Sequence, residues 1–130
     1  MFNSAFQNKT VWLSGHTGFK GSWLALRLHG LGATVTGYAL APPTEPNLHD
    51  LCRLGEIVRP HLADVRDAER LRRAMTEADP EIVLHLAAQS LVRESYRRPA
   101  ETFEVNVVGA ARVLDAVREA GSARAVGVIT

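Results

Sequence analysis

Apolar and polar positions alternate along this chain in two rhythms. Residues 10–14, 33–40, 57–63, 81–88 and 124–130 are short runs rich in β-branched or other apolar side chains, each bounded by Gly, Pro or Asp. Such runs predict strands buried in a sheet. Between them stand segments with helical spacing. Residues 23–31 close with Gly32, residues 68–78 place Leu71, Ala74, Met75 and Ala78 on one face, and a segment from Pro99 or Ala100 to Glu119 repeats Phe103, Val107, Ala110, Ala111, Leu114 and Val117. Strand alternating with helix predicts an α/β fold with a doubly wound parallel sheet. Pro60 puts the third strand at the edge, and the unbroken apolar run of the fourth puts it at the centre. His85 interrupts that central run and reads as a core residue held by hydrogen bonds rather than as a base.

The joint between the first strand and the first helix is Gly15-His16-Thr17-Gly18-Phe19-Lys20-Gly21. Glycine is needed where a chain turns through positive φ, where a side chain would block a ligand, and where a helix must lie close to a strand. A helix that opens on such a turn offers bare N–H groups to a phosphate. The spacing is G-x-x-G-x-x-G rather than the commoner G-x-G-x-x-G, and a glycine-rich turn without a ligand is the plain alternative. Lys20 either pairs with a phosphate or is a solvated first-turn charge.

Length and composition narrow the field. The chain has 130 residues, 46% hydrophobic and 22% charged, with a net charge of +1, as expected for one globular domain. Basic residues do not collect on one face, so a nucleic-acid surface is not expected. Cys52 is the single cysteine; it reads as a small, half-buried residue, and a reducing cytoplasm is the expected setting. No apolar run reaches membrane-spanning length, no leader is seen, and residues 1–8 read as a loose polar lead-in.

Candidate chemistry sits at the carboxyl ends of the strands. The second strand ends in Tyr38-Ala39-Leu40, with neither the acid that grips a ribose diol nor an Arg for a 2′-phosphate. Residues 41–47 hold three prolines and read as a rigid loop, and 48–54 as a short helical turn. Asp67 caps the next helix. Asp64 is placed to accept from an adenine amino group, or is a plain loop acid. Ala87 and Ala88 let a ligand approach the backbone, with polar Gln89 and Ser90 beside them. Asn106 lies inside the long helix, where a tolerated solvent-facing residue is the bland reading. Arg93 beside Glu94 reads equally as a surface ion pair.

Four signals recur in order: Ser14-Gly15-His16-Thr17-Gly18-Phe19-Lys20-Gly21, Asp64-Val65, Leu86-Ala87-Ala88-Gln89 and Asn106. Together they resemble the amino-terminal part of an extended short-chain dehydrogenase/reductase of the NAD-dependent epimerase/dehydratase family. The resemblance is densest to the 4,6-dehydratases of CDP-glucose, through Gly15 to Leu24, the Pro43-Thr44-Glu45-Pro46-Asn47-Leu48 stretch and Ala87 to Tyr96. It implies a Rossmann-type sheet in the order 3-2-1-4-5 and bound NAD. Gly15, His16, Thr17, Gly18, Phe19, Lys20, Gly21, Asp64, Val65, Leu86, Ala87, Ala88, Gln89 and Asn106 would meet the cofactor, and Ser90 and Arg93 the sugar nucleotide. The implied reaction converts CDP-glucose to its 4-keto-6-deoxy derivative and water, with hydride carried out and back by the cofactor, in a homo-oligomeric cytoplasmic enzyme of surface-polysaccharide synthesis.

The family's Tyr-x-x-x-Lys pair is absent, because Pro42 and Ala100 stand four residues after Tyr38 and Tyr96. The expectation is a partial NAD-binding domain over residues 1–130, without a sugar-nucleotide domain, without catalytic residues of its own and inactive alone. A nucleotide-sugar epimerase or reductase of the same family, or an inactive dinucleotide-binding module, are the alternatives.

Overall fold

The computed structural model describes residues 4–129. Five parallel strands form one sheet: β1 (Thr10–Ser14), β2 (Thr34–Ala39), β3 (Val58–Leu62), β4 (Ile82–His85) and β5 (Ala125–Val128). Their order is β3-β2-β1-β4-β5. Thus β1 leads outward in both directions, and the crevice between the carboxyl ends of β1 and β4 is the point where the strand order reverses.

Period-two alternation on β1 divides the core. Val11 and Leu13 face one side with Val35 and Val58, covered by Ala25 and Leu28 of α1 (Phe19–Gly30). Trp12 faces the other with Tyr38 and Val83, covered by Leu71, Ala74 and Met75 of α3 (Ala68–Ala78) and by Val113 and Ala116 of α6 (Gly109–Ala120). Three short helices complete the chain: α2 (Leu48–Leu51), α4 (Val92–Arg97) and α5 (Pro99–Phe103). Asn47 caps α2 and Asp67 caps α3 through side chains that accept from Asp50 N–H and Arg70 N–H. Among the described residues no helix is long and apolar enough to cross a membrane.

Several expectations need correction. The lead-in is anchored over its described part: Phe6 packs against the α1-side core, and Asn8 N–H donates to Gly32 O at 2.9 Å. Residues 1–3 lie outside the described residues, as does Thr130 at the end of the predicted fifth strand. The long helix is borne out over residues 99–120, but it is not regular throughout. A π-helical turn, Glu104–Val108, separates α5 from α6, and α4 precedes them. There Gly109 approaches Val65 so closely that an added Cβ would stand 2.8 Å from its Cγ2. The fourth ladder ends at His85 rather than Ala88, because Leu86 N–H is shared between Ser14 O at 3.3 Å and the Ser14 hydroxyl, and Ala87 N–H turns to that hydroxyl.

Candidate functional site

Gly15 leaves β1 at φ +77° and donates its N–H to Tyr38 O at 2.9 Å. A Cβ on it would stand 2.9 Å from Ala87 N, so only glycine lets this turn lie against the chain leaving β4. At Gly21 an added Cβ would be 1.9 Å from Gly15 O, which holds α1 tight against the turn. Gly18 differs. Its backbone is extended, and its added Cβ would meet only Gly15 O, at an ordinary 3.5 Å. Nothing inside the protein requires glycine there, so the room it leaves lies outward, over the start of α1.

That helix start is bare. Gly18 offers no capping side chain, and the first turn holds no acid. The first N–H groups of a helix have no intrahelical acceptor, and the aligned peptide dipoles favour an anion beside them. Lys20, exposed in the same turn, adds a positive charge.

The flanking residues mostly brace this turn. Thr17 Oγ1 donates to Leu40 O at 2.8 Å, and Ser22 Oγ to His16 O at 3.0 Å. Phe19 is exposed. His16 was expected at the ligand, but its side chain is fully enclosed. An added Cβ on Gly37 would stand 2.5 Å from the ring, and the His49 ring lies edge-on at 5.6 Å. Neither His16 ring nitrogen has a hydrogen-bond partner among the described residues. Burial first, then repulsion from His49 and His61, pushes the His16 pKa down to about 4. His16 therefore offers the crevice its backbone, while its neutral ring fills the space that Gly37 leaves.

The β4 wall is tied to β1 by one hydroxyl. Ser14 Oγ accepts from Leu86 N–H and Ala87 N–H, both at 3.0 Å, and stands 2.6 Å from His85 Nδ1. With both lone pairs occupied, the hydroxyl hydrogen donates to Nδ1, so His85 is neutral with its proton on Nε2. Burial lowers the His85 pKa in the same direction. Leu86 and Ala87 are half-buried and Ala88 is exposed at the mouth.

Asn106, on the π turn, reaches the loop after β4. Its Oδ1 accepts from Gln89 N–H at 2.8 Å, and its Nδ2 donates to Gln89 O at 3.0 Å. This replaces the reading of a solvent-facing residue: the wide turn exists where an amide side chain takes both backbone groups of another segment. The Gln89 side chain is likewise engaged, donating to Leu91 O and Thr102 Oγ1 and accepting from Leu91 N–H. Ser90 and Arg93 are exposed beyond it, and Glu94 pairs with Arg97 at 3.1 Å rather than with Arg93.

At the far end, Asp64 remains partly exposed, and its carboxylate is held by Arg66. The guanidinium hydrogen bonds keep its pKa below the ordinary carboxylate value. Val65 does not flank the crevice with its side chain, which is buried in the core against Gly109. Sequence reasoning missed the bracing roles of Ser14, Ser22, Gly37 and Arg66. Of these, only Ser14 and Ser22, just before and just after the glycine turn, left a sequence signal.

The glycine turn, the Ser14 tie and the loop held by Asn106 thus lie at the carboxyl ends of β1 and β4, where the strand order reverses, and Asp64 lies beyond the carboxyl end of β3 on the same edge of the sheet. Residues 13–129 match the family model described as GDP-mannose 4,6 dehydratase. The chain belongs to this family. Among the family's relatives, the CDP-glucose 4,6-dehydratase of Salmonella typhimurium is 50% identical over 125 residues, covering 96% of this chain and 35% of that protein. The GDP-mannose 4,6-dehydratase of Vibrio cholerae is 30% identical, covering 87% of this chain and 32% of that one. The fold is similar to that of the Stenotrophomonas maltophila UDP-glucose-4-epimerase solved with bound NAD and formylated UDP-arabinopyranose, at TM-score 0.78 and 28% identity over 88% of this chain and 34% of that one. The chain spans about a third of the length of the relatives it matches.

Proposed function

We propose that this chain is the NAD-binding part of a CDP-glucose 4,6-dehydratase, forming CDP-4-keto-6-deoxyglucose and water. The observation that carries the reading is the outward-facing Gly18 at the uncapped start of α1, in a chain 50% identical to a CDP-glucose 4,6-dehydratase over 96% of its length.

The residues fit a dinucleotide. Gly15, Gly18 and Gly21 with the first turn of α1 hold the pyrophosphate, and Lys20 neutralises part of its charge. Asp64 accepts from the adenine amino group, and the Ala87–Ala88 backbone leaves room for the nicotinamide half. Gln89, fixed by Asn106, sets the floor there, with Ser90 and Arg93 toward the sugar nucleotide. Bound NAD would supply reversible hydride acceptance. The protein's part is to orient it: Ser14 and Asn106 fix the two walls, and the buried Tyr38 hydroxyl, which donates to Asp64 O at 2.8 Å, fixes the adenine end.

The 130 residues contain no Tyr-x-x-x-Lys pair, so we further propose that they form a partial cofactor domain with no turnover of CDP-glucose by itself. The test is Gly18→Val. The added Cβ would stand an ordinary 3.5 Å from Gly15 O, and the extended backbone there suits valine, so the unfolding free energy should stay within about 1 kcal/mol of the parent while NAD binding by calorimetry is lost. Unchanged NAD affinity in a folded Gly18→Val chain overturns the phosphate assignment. Turnover of CDP-glucose by the purified chain overturns the second proposal.

A further inference from the structure

His85 closes the β4 ladder opposite Ser14, and its ring is buried. Its Nδ1 takes the Ser14 hydroxyl hydrogen at 2.6 Å, which leaves the lone pairs of Oγ for Leu86 N–H and Ala87 N–H. A serine hydroxyl rotates unless an acceptor holds its hydrogen, so the ring is what aims the oxygen at the two amides. They do not depend on it equally. Leu86 N–H has a second, longer partner in Ser14 O at 3.3 Å, whereas Ala87 N–H has the hydroxyl alone among the described residues. Ala87 is also the residue that lies against Gly15, where an added Cβ would stand 2.9 Å from its N and 3.1 Å from its Cα. Contact thus runs from the His85 ring, through one hydroxyl, to the place where the chain leaving β4 meets the glycine turn.

We propose that His85 is a positioning residue for the bound dinucleotide: acting through Ser14, its neutral ring fixes Ala87 against Gly15, and a proton on the ring releases Ala87 and weakens cofactor binding. This rests on the dinucleotide reading above. Once protonated, Nδ1 turns a hydrogen of its own toward an oxygen that already accepts twice, so Ser14 must give up an amide. The amide without a second partner is the one released. The ladder neighbours of His85 are Ser14 of β1 and Val128 of β5, and Tyr38 of β2, un-ionised, lies one strand beyond Ser14. Among the described residues no charged side chain of a packed element joins burial in lowering the His85 pKa, so the proton arrives below the ordinary value of 6.5.

The experiment follows the His85 ring of the parent chain by nuclear magnetic resonance through a pH titration, with and without NAD. Complete protonation should weaken NAD about tenfold, the scale of one lost hydrogen bond. Linkage is reciprocal, so bound NAD should lower the titration midpoint by about one unit. Calorimetry of NAD at about pH 7.5 and at the midpoint of the free chain, with folding checked by circular dichroism, gives the same coupling from the other side: the half-protonated parent should bind about twofold more weakly. His85→Asn, which offers Oδ1 to the Ser14 hydrogen and does not titrate, should lose that difference. A merely structural ring would change stability and leave both readouts unmoved. An unmoved midpoint, which needs no variant to fold, overturns the proposal, as does an equal pH dependence of NAD affinity in the parent and His85→Asn. A folded parent that binds NAD at neither pH overturns the cofactor reading itself.

Discussion

The fit between Gly37 and His16 gives a stringent test of how the glycine turn is supported. Gly37 lies in the ladder of β2 opposite Leu13 of β1 and Pro60 of β3, so its backbone cannot withdraw to either side. In Gly37→Ala the new Cβ would stand 2.5 Å from His16 Cγ and Nδ1 and 2.7 Å from Cδ2. Comfortable carbon contacts begin near 3.5 Å, so the ring must retreat by about 1 Å, toward the His49 ring. Overpacking a closed site of this kind costs about 3 kcal/mol, and removing glycine's unfolded-state entropy returns about 0.5–1 kcal/mol. The expected net loss is about 2 kcal/mol. His16→Ala alone should cost about 2 kcal/mol, at the low end for a large-to-small change because two unpartnered ring nitrogens leave with the ring.

The two changes should not add. With the ring gone the clash is gone, so Gly37→Ala in the His16→Ala background should be neutral or stabilising by up to about 1 kcal/mol. The coupling between the sites is then about 2–3 kcal/mol. Urea unfolding of the four chains, followed by far-ultraviolet circular dichroism with the slope checked for constancy, measures it. Equal cost of Gly37→Ala in both backgrounds, or a cost below about 0.5 kcal/mol in the parent, would refute the packing argument.

Two further outcomes are expected. His16 is neutral in the fold with a pKa of about 4 against an ordinary value of 6.5, so the unfolded chain binds more protons between those values. Stability should therefore be full above pH 6.5 and fall by about 3 kcal/mol as the pH drops toward 4, with His85 adding in the same direction; His16→Leu should flatten most of this slope in pH-dependent urea unfolding. Asn106→Ala should cost about 2–3 kcal/mol, because a backbone N–H and a C=O of Gln89 lose their partners. Faster hydrogen exchange confined to Gln89 and its neighbours would locate the loss at the clamp, whereas exchange rising evenly through α6 would count against it.

The strands were legible because each is a short apolar run between breakers, the Ser14–Gly21 stretch announced its turn through spacing alone, and the sheet order 3-2-1-4-5 came from the family resemblance that these motifs carry. What stayed hidden depends on partners far away in sequence. The π turn inside the long helix cannot be read from the spacing of Phe103, Val107 and Leu114, which is regular through it; it goes with Asn106 reaching Gln89 and Gly109 meeting Val65. His16 carried the same difficulty. A histidine inside a phosphate-binding turn reads as a polar group for the ligand, and only Gly37, in the next strand, shows that its ring is packing. Arg66 stands two residues after the acid that it holds, yet an Asp-Val-Arg-Asp string does not reveal which carboxylate the guanidinium chooses. The ion pair to Asp64 at 2.6 Å and the 3.4 Å approach to Asp67 made by Arg70 settle that choice by geometry.

The two ties that close the crevice share one construction, and it explains where acid should act first. In each, a segment that has left its ladder is recaptured by a side chain of a neighbouring element: Leu86 and Ala87 by Ser14, Gln89 by Asn106. The loop after β4 is therefore suspended between β1 and the π turn, held chiefly by side chains with one longer backbone bond, Leu86 N–H to Ser14 O at 3.3 Å, beside them. The Asn106 tie is indifferent to pH, since an amide does not titrate. The Ser14 tie is not. Its oxygen already accepts twice, so a protonated His85 would turn a second donor, Nδ1–H, toward an oxygen with no free lone pair, and one of the three contacts must break. Acid therefore loosens the β1 side of the loop while leaving the Asn106 side intact, and the exchange protection factors of the Leu86 and Ala87 amides, taken relative to the intrinsic rate at each pH, should fall with pH before that of Gln89.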